Sequence, residues 1–301
     1  MKMQIPDELK GEVPPTKWGK ILSTTPIVMT VIATLLAGLA SSEMTRAQYD
    51  RALAAQQQSK AGDQWSFFQA KKLRSAMQRS TLDLLQTTTE LHPLEAATFP
   101  ATVSEPARRA LLKGELPAIP AAPPMDAEVK AALETIANSK PEDEIASLLV
   151  KVKVGPLDQA LQGAREQTLA FDAALTPISQ SIEGLEKLIV EPPGSDRAAR
   201  SLVRDFTAAR LRYAAAHYDV EARLNQRVAN LLELQVRQSN RSAERHHARS
   251  GRFFFGMLAA QMGVIIATLA LAARHKNLLW SLAATAGLAA VSFAFYVFLY
   301  V

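Results

Sequence analysis

The chain has 301 residues, of which 48% are hydrophobic, and a formal net charge of +5. It contains no cysteine, which excludes disulfides, thiolate metal sites and thiol catalysis. The basic excess is mild, and basic residues commonly flank membrane spans, so the charge does not imply nucleic-acid binding. Apolar residues concentrate at both ends of the chain, whereas the middle is polar and rich in alanine. This segregation indicates an integral membrane protein.

The first apolar run covers residues 21–40, which is long enough to cross a hydrocarbon core of roughly 30 Å as a helix. Trp18 stands just before the run, where an amphipathic ring suits the membrane interface. The small residues Gly38 and Ala40 leave a cleaved signal peptide as an alternative. We favour an uncleaved anchor, because the run is longer than the apolar core of a usual signal peptide.

Two further apolar runs, 253–273 and 278–301, are joined by a basic turn of four residues and predict a transmembrane hairpin. No Asp, Glu, Lys or Arg lies inside any of the three runs, which argues against a proton-coupled transporter or an ion pump. Small residues recur at four-residue spacing, as in Gly256 and Ala260. Such residues pack either the spans of one subunit together, which we favour, or one subunit against another.

Basic residues near the spans bear on the topology. Lys17, Lys20, Arg274 and Lys276 favour the cytoplasm for the N-terminal tail and the hairpin turn. The arginines just before the second span favour the opposite arrangement. Basic residues flanking membrane spans tend to stay in the cytoplasm, and this tendency is stronger for short loops than for long translocated domains. We therefore expect the middle domain on the non-cytoplasmic side.

The composition of the middle domain, rich in Ala, Leu, Gln, Glu and Arg, favours helix. The expected fold is an all-α membrane protein with three transmembrane helices and an extramembrane antiparallel helical stalk or bundle. The expected segments are an N-terminal tail at 1–20, a transmembrane helix at 21–40, a helical domain at 41–252 with a Pro-rich segment at 93–124, and transmembrane helices at 253–273 and 278–301.

The first span is predicted to continue as a helix to about Leu91. Its shared apolar face is formed by Phe67, Ala70, Leu73, Met77 and Leu84. The Pro-rich segment that follows is interpreted as an extended linker or as a cap over the helix tips, with a short helix near 105–113. Two more short helices are predicted at 126–138 and 141–152.

The clearest periodicity runs from Leu157 to Ile189, where apolar residues alternate spacings of four and three. This heptad seam is typical of a helix in a coiled coil or bundle. Because the register survives across Pro177, we expect one kinked helix. A last helix, from about 196 into the second span, repeats the rhythm. The first and last long helices both join the membrane, so they must run antiparallel.

Residues 63–71 read Asp-Gln-Trp-Ser-Phe-Phe-Gln-Ala-Lys and hold three aromatics in a chain that is 6% aromatic. Trp65 and Phe68 are expected to anchor packing against partner helices, with polar neighbours bonding across them. An oligomer interface or a ligand groove is the alternative. The interaction candidates are Asp63, Gln64, Trp65, Phe67, Phe68, Gln69 and Lys71.

This run, placed shortly after a first span and before a C-terminal hairpin, resembles a bacterial family of uncharacterised three-span membrane proteins. Its members have a similar Asp-Gln-Trp-aromatic-aromatic-Gln-Ala-Lys motif. The resemblance covers the first span, residues 41–80 and the hairpin, and segment 93–124 departs from it. It implies an inner-membrane architecture and no particular activity.

Four arginines at four-residue spacing, followed by a fifth three residues later, form a row that ends at the second span. The row consists of Arg237, Arg241, Arg245, Arg249 and Arg252. It forms either a solvated face with Glu244 as a local partner or a contact with anionic lipid headgroups. Adjacent histidines on a helix point about 100° apart, so His246 and His247 do not predict a metal site.

No nucleotide, hydrolase or metal motif is present in the sequence, so we expect neither a cofactor nor an enzyme. The leading hypothesis is a structural or interaction protein, either a homo-oligomer or a subunit of a larger membrane complex. The alternative is a channel or transport accessory. The residues lining its narrow oligomeric path would be Thr24, Thr25, Thr30, Thr34 and Gln261. A sensor is a third hypothesis, although no output domain is recognisable.

Overall fold

A computed structural model describes residues 17–96, 99–100, 103–122, 124–138, 140–190, 197–272 and 276–300. Its helices are α1 Lys17–Thr88, α2 Glu105–Lys113, α3 Ala127–Ala137, α4 Glu142–Leu149, α5 Val154–Val190, α6 Arg197–Ala272 and α7 Lys276–Tyr300. These described residues contain no β-strand, which confirms the all-α fold class. The three predicted short helices are present as α2, α3 and α4.

Three helices, α1, α6 and α7, are long and apolar enough to cross a membrane. Each of the three predicted spans falls in one of them. The chain divides into two compact units. Unit 1 comprises Met1–Leu53 and Ser239–Val301, and unit 2 comprises Ala54–Gln238, so α1 and α6 contribute to both.

Small residues bring the helices of unit 1 close together. A Cβ built on Gly256 of α6 would lie 3.3 Å from the backbone carbonyl oxygen of Ala290 in α7. One built on Gly263 would lie 3.4 Å from the carbonyl oxygen of Ala283. At these positions, small residues pack the spans of one subunit together, as we expected.

The predicted seam is the buried face of α5 in unit 2. Leu157, Phe171 and Leu185 are nearly or fully inaccessible to solvent. The helix continues through Pro177, which confirms one helix rather than two. The segment at 191–196, where a break before the last helix was expected, lies outside the described residues.

Helix α6 runs antiparallel to α5. The Arg210 guanidinium lies 2.8 Å from the Glu186 carboxylate near one end of α5, and Gln235 donates to Asp158 at 2.5 Å near the other. Phe206 of α6 belongs to the same apolar core as Phe171 of α5. A second core joins α3 and α4 to both long helices.

Local sequence explains the ends of the short helices. Gly114 terminates α2 with a left-handed φ of 69°, which glycine adopts without steric cost, and its N–H donates to the Ala110 carbonyl. Asp126 caps α3 by accepting hydrogen bonds from the N–H groups of Glu128 and Val129.

The Pro-rich segment packs along the side of α5. Gln167 of α5 donates to the Pro120 carbonyl at 2.7 Å, and the Ser104 N–H donates to the Ser181 hydroxyl at 3.4 Å. Phe99 is buried in the core shared by α5 and α6. The segment is therefore neither a free linker nor a cap over helix tips, because its apolar side chains complete the core.

The face of α1 that packs in unit 2 is formed mainly by small residues at heptad spacing. Ala54, Ala61, Ser75 and Leu82 are buried. The Ser75 hydroxyl donates to the Ala215 carbonyl of α6 at 2.8 Å. Small side chains allow α1 to approach α6 closely, and the helix ends at Thr88 rather than near 91.

The apolar face that the sequence identifies on α1 is not the face that packs in unit 2. Phe67, Leu73, Met77 and Leu84 are 55%, 62%, 58% and 63% exposed. Helical periodicity predicts the helix correctly, but α1 has two faces that satisfy it. The close approach selects the face of small residues and leaves the larger side chains on the surface.

Candidate functional site

A cluster of polar and charged groups lies between α1 and α6 in unit 2. Lys71 of α1, the last residue of the predicted motif, forms an ion pair with Glu221 of α6. The Glu221 residue is only 7% exposed. A charge this far from water needs a partner, and Lys71 provides it.

Basic side chains of α1 also contact Tyr218 and Asp219, which stand shortly before Glu221 in α6. The Lys71 ammonium lies 5.3 Å and the Arg74 guanidinium 5.8 Å from the centroid of the Tyr218 ring. Lys72 donates a hydrogen bond of 2.7 Å to Asp219. This bond is the main reason that the pKa of Asp219 is lowered.

Burial perturbs the protonation equilibria of the groups beside this ion pair. Loss of hydration, together with the nearby Lys71 charge, lowers the pKa of His217 to about 4. Burial and the Glu221 charge raise the pKa of Tyr213 to about 12. Burial, followed by the Glu221 charge, also raises the pKa of Asp172. His217 is therefore neutral at pH 7.

The cluster is organised around aromatic rings. The His217 ring centroid lies 5.2 Å from that of Tyr213 and 4.2 Å from that of Tyr218. The Tyr213 hydroxyl, in a residue that is 2% exposed, has no hydrogen-bond partner among the described residues. Two charge pairs, Lys71–Glu221 and Lys72–Asp219, join α1 to α6 beside these rings, which all belong to α6.

Nothing in the described ranges forms a group of three His, Asp or Glu side chains that could hold a metal ion. In the sequence, His246 stands next to His247 and close to Glu244. In the structure, its Nδ1 lies 2.6 Å from the Glu43 carboxylate in unit 1, and its Nε2 lies 4.0 Å from Asp50. This histidine joins the parts of α1 and α6 that lie in unit 1.

The aromatic residues of the predicted motif separate in the structure. The Trp65 and Phe68 rings are half-buried and meet edge to face at 5.5 Å, whereas Phe67 is exposed. No hydrogen bond within the described chain joins the side chain of Asp63, Gln64 or Gln69 to another residue. The expected polar bonding across the anchors is therefore absent there, since these three residues lie at the rim of the packed face or outside it.

The exposed side of α1 has a row of apolar side chains, which we call the α1 stripe. Its members are Phe67, Ala70, Leu73, Met77 and Leu84. At 100° per residue they lie within one third of the helix circumference. An apolar row of this kind on a helix that already buries its opposite face is typical of an interaction surface.

The arginine row does not form one uniform surface. Arg237 is engaged in unit 2 with Glu142 at 2.7 Å and Glu233 at 3.4 Å, which raises the pKa of its guanidinium despite partial burial. In unit 1 the Arg252 guanidinium lies 4.8 Å from the Tyr296 ring centroid.

The other members of the row also lie in unit 1. Arg241 is half-buried, and Arg245 is exposed. The Nε of Arg249 and one terminal nitrogen of Arg252 are buried without a hydrogen-bond partner among the described residues. These two nitrogens leave unused donors beside the second span.

Sequence analysis did not identify Glu221, Tyr213, Asp172 or His217 as members of a site. The available signal was the position of Glu221 directly after Val220, a residue of the α6 seam. The charges of Glu221, beside the α6 seam, and Lys71, at the end of the motif on α1, are opposite. They can pair when the two helices run antiparallel.

Comparison with known proteins identifies one family. Residues 18–111 match the model of a family described as a domain of unknown function, DUF4337. The match covers the first predicted span, the aromatic motif and part of the Pro-rich segment, about a third of the chain, and leaves out the hairpin. No curated protein and no solved structure matches the chain. The chain is thus similar, over 18–111, to a family whose function is unassigned.

Proposed function

We propose that this protein is a membrane-anchored structural or interaction protein that assembles into a homo-oligomer or joins a larger membrane complex. The observation that supports this proposal is the α1 stripe. Helix α1 already packs against α6 through its small residues. A second apolar face on the same helix is therefore available for another subunit.

The physical argument rests on the cost of leaving this surface in water. Burying a large apolar side chain contributes roughly 1.5–3 kcal/mol. The α1 stripe holds four such side chains, each more than half exposed. The ring of Phe67 is the kind of rigid anchor that dominates protein interfaces. A helix from another subunit, packed along the stripe as in a coiled coil, would remove these side chains from water.

The setting of the protein is part of the proposal. We infer that it belongs to the bacterial inner membrane, with its helical domain on the non-cytoplasmic side. Support comes from the resemblance of residues 63–71 to the bacterial motif and from the basic residues of the tail and the hairpin turn. Anionic lipids are proposed partners of Arg245, Arg249 and Arg252. The proposal assigns neither a cofactor nor a catalytic activity.

The experiment is to isolate the protein in native lipid particles and measure the particle mass and the co-purifying proteins. Changing Leu73, Met77 and Leu84 to Gln should reduce assembly at least about tenfold, since three interface side chains become polar. The matched control changes Leu169 and Leu188, which are equally exposed on α5, to Gln. A monomeric wild-type particle without partners, or equal losses in both variants, contradicts the proposal.

An alternative function, a channel or transport accessory, is favoured by one observation. Thr30, Thr34 and Gln261 line the same groove between α1 and α6 in unit 1. These are three of the residues that sequence analysis assigned to a polar path. Ion flux through proteoliposomes containing the purified protein tests this alternative. Flux that disappears in Gln261→Leu would support it, and undetectable flux would reject it.

A further inference from the structure

One polar side chain stands out on the surface of the spans. Gln261 lies in the middle of the predicted second span and lines an open groove of about 470 Å³ in unit 1. The walls come from α1, with Ala33 and Ala37, and from α6, with Val264 and Ile265. The groove is thus an apolar cleft with an amide group at its rim.

The other polar groups of the groove are already bonded. The Thr30 hydroxyl donates to the Pro26 carbonyl at 2.8 Å, and the Thr34 hydroxyl donates to the Thr30 carbonyl at 2.9 Å. The Gln261 amide has no hydrogen-bond partner among the described residues. In hydrocarbon no water can replace that partner, so an unbonded amide is costly there. Whatever occupies the groove should therefore offer both a donor and an acceptor.

We propose that the groove binds a second copy of this chain, and that the two Gln261 side chains form a reciprocal pair of hydrogen bonds across the interface. A primary amide is self-complementary, because its N–H group can donate to the carbonyl of an identical amide while accepting in return. Two copies inserted with the same topology place Gln261 at the same depth. A two-fold axis through the groove brings the two amides together.

The groove walls suit such an approach. The small side chain of Ala37 lines the groove, which lets a neighbouring helix come close on that side. Gly256 and Gly263 of α6 pack against both α7 and α1, and Ala33 belongs to the same buried core of unit 1. Ala37 lies outside that core and is half-buried, so it is the small residue of the groove left for a second copy.

This inference rests on the proposed homo-oligomer and adds the contact inside the membrane. The test uses the full chain in its native membrane. Because the protein has no cysteine, Gln261→Cys introduces a single thiol. A short bifunctional thiol cross-linker should then yield a covalently linked dimer, because paired glutamine amides hold the two backbones further apart than a disulfide spans. The control is Leu288→Cys on α7, which is 69% exposed and is expected to cross-link at least about tenfold less.

A second pair of variants tests whether the amide group itself contributes to the affinity of the dimer. Gln261→Leu should raise the dissociation constant of the dimer in lipid about tenfold, as expected when an interhelical polar contact is lost. Gln261→Asn, which keeps the amide, should retain most of the association. Absence of a covalently linked dimer in Gln261→Cys, or unchanged association in Gln261→Leu, overturns the inference. Cross-linking to a foreign protein or a groove filled by lipid also overturns it.

The two proposals fail in different ways. If wild-type particles contain one copy and no partner, the proposed function itself is wrong. If the particles contain several copies, and their assembly depends on the α1 stripe but not on Gln261, only the contact inside the membrane is wrong.

Discussion

The ammonium group of Lys71 in α1 forms an ion pair with the buried carboxylate of Glu221 in α6. This pair connects two long helices that are far apart in the sequence. It also places a fixed negative charge beside Tyr213 and a fixed positive charge beside His217. The stability of unit 2 should depend on the pair in measurable ways.

Glu221→Gln should lower the free energy of unfolding of unit 2 by about 2 kcal/mol, because Lys71 loses its anionic partner in a partly dry site. The measurement is denaturant unfolding followed by the fluorescence of Trp65, which lies in unit 2. The other two tryptophans, Trp18 and Trp280, are changed to Phe.

The matched control for this prediction is the exposed pair of Lys130 and Glu134 in α3. Glu134→Gln should change the free energy by less than about 0.5 kcal/mol, since exposed pairs contribute little. Equal effects of Glu221→Gln and Glu134→Gln would show that the buried pair has no special role.

Unit 2 should become less stable as the pH falls from about 6.5 towards 4, because of His217. The unfolded chain binds a proton near the usual histidine pKa of about 6.5, whereas the folded protein binds it only near a pKa of about 4. The stabilisation is complete above pH 6.5 and is lost as the pH falls through the folded pKa. The full difference is about 3 kcal/mol at most.

The measurement for His217 is the denaturation midpoint of Trp65 fluorescence at several pH values, compared with His217→Gln. Asp172 acts in the opposite sense, since its raised pKa favours the folded protein at low pH. The difference between the pH profiles of the denaturation midpoint of wild type and variant therefore gives the contribution of His217. Parallel pH profiles in the two proteins would refute the assignment.

Gly256→Ala should destabilise unit 1, although alanine usually stabilises a helix. The new Cβ would lie 3.3 Å from the Ala290 carbonyl oxygen, so α7 must shift. We expect a loss of about 1–2 kcal/mol, from overpacking. Trp280, whose indole N–H donates to the Thr25 hydroxyl at 3.2 Å, reports on this packing by its fluorescence.

The control for Gly256 is Gly38→Ala in α1, because nothing lies within 4 Å of a Cβ at Gly38. That change should be neutral or slightly stabilising, through the unfolded chain and helix propensity. If both alanine variants behave alike, close packing at Gly256 does not determine the stability of unit 1.

Changing Arg245, Arg249 and Arg252 to Gln should lower the share of anionic phospholipid that co-purifies with the protein by at least about fivefold. Each arginine near an anionic membrane surface contributes on the order of 1 kcal/mol to the free energy of binding that surface. Mass spectrometry of lipids extracted from native particles measures the change. Arg237→Gln is the control, since this side chain is engaged with Glu142 and Glu233. A similar fall in the control would indicate a general charge effect.

Features that depend on residues close together in the sequence could be predicted from the sequence alone. The seam from Leu157 to Ile189 identified the buried face of α5, because only one apolar row satisfies its periodicity. The helix near 105–113 was recognised between prolines. Both are consequences of local spacing, which requires no knowledge of the partner helix.

The face of α1 could not be predicted in the same way. Two rows satisfy helical periodicity there, and apolar size favours the row of Phe67, Leu73 and Met77. The structure buries the row of Ala54, Ala61 and Ser75 instead. The partner, α6, determines this choice, since close packing and the bond from Ser75 to Ala215 require small side chains.

The sequence by itself determined the three apolar helices, the all-α class and the seam of α5, because segment length and residue periodicity are local properties. Only the tertiary structure decided which side of α1 is buried, where the Pro-rich segment lies, and that Lys71 meets Glu221. These features depend on distances between helices, which side chains far apart in the chain establish together when they pack.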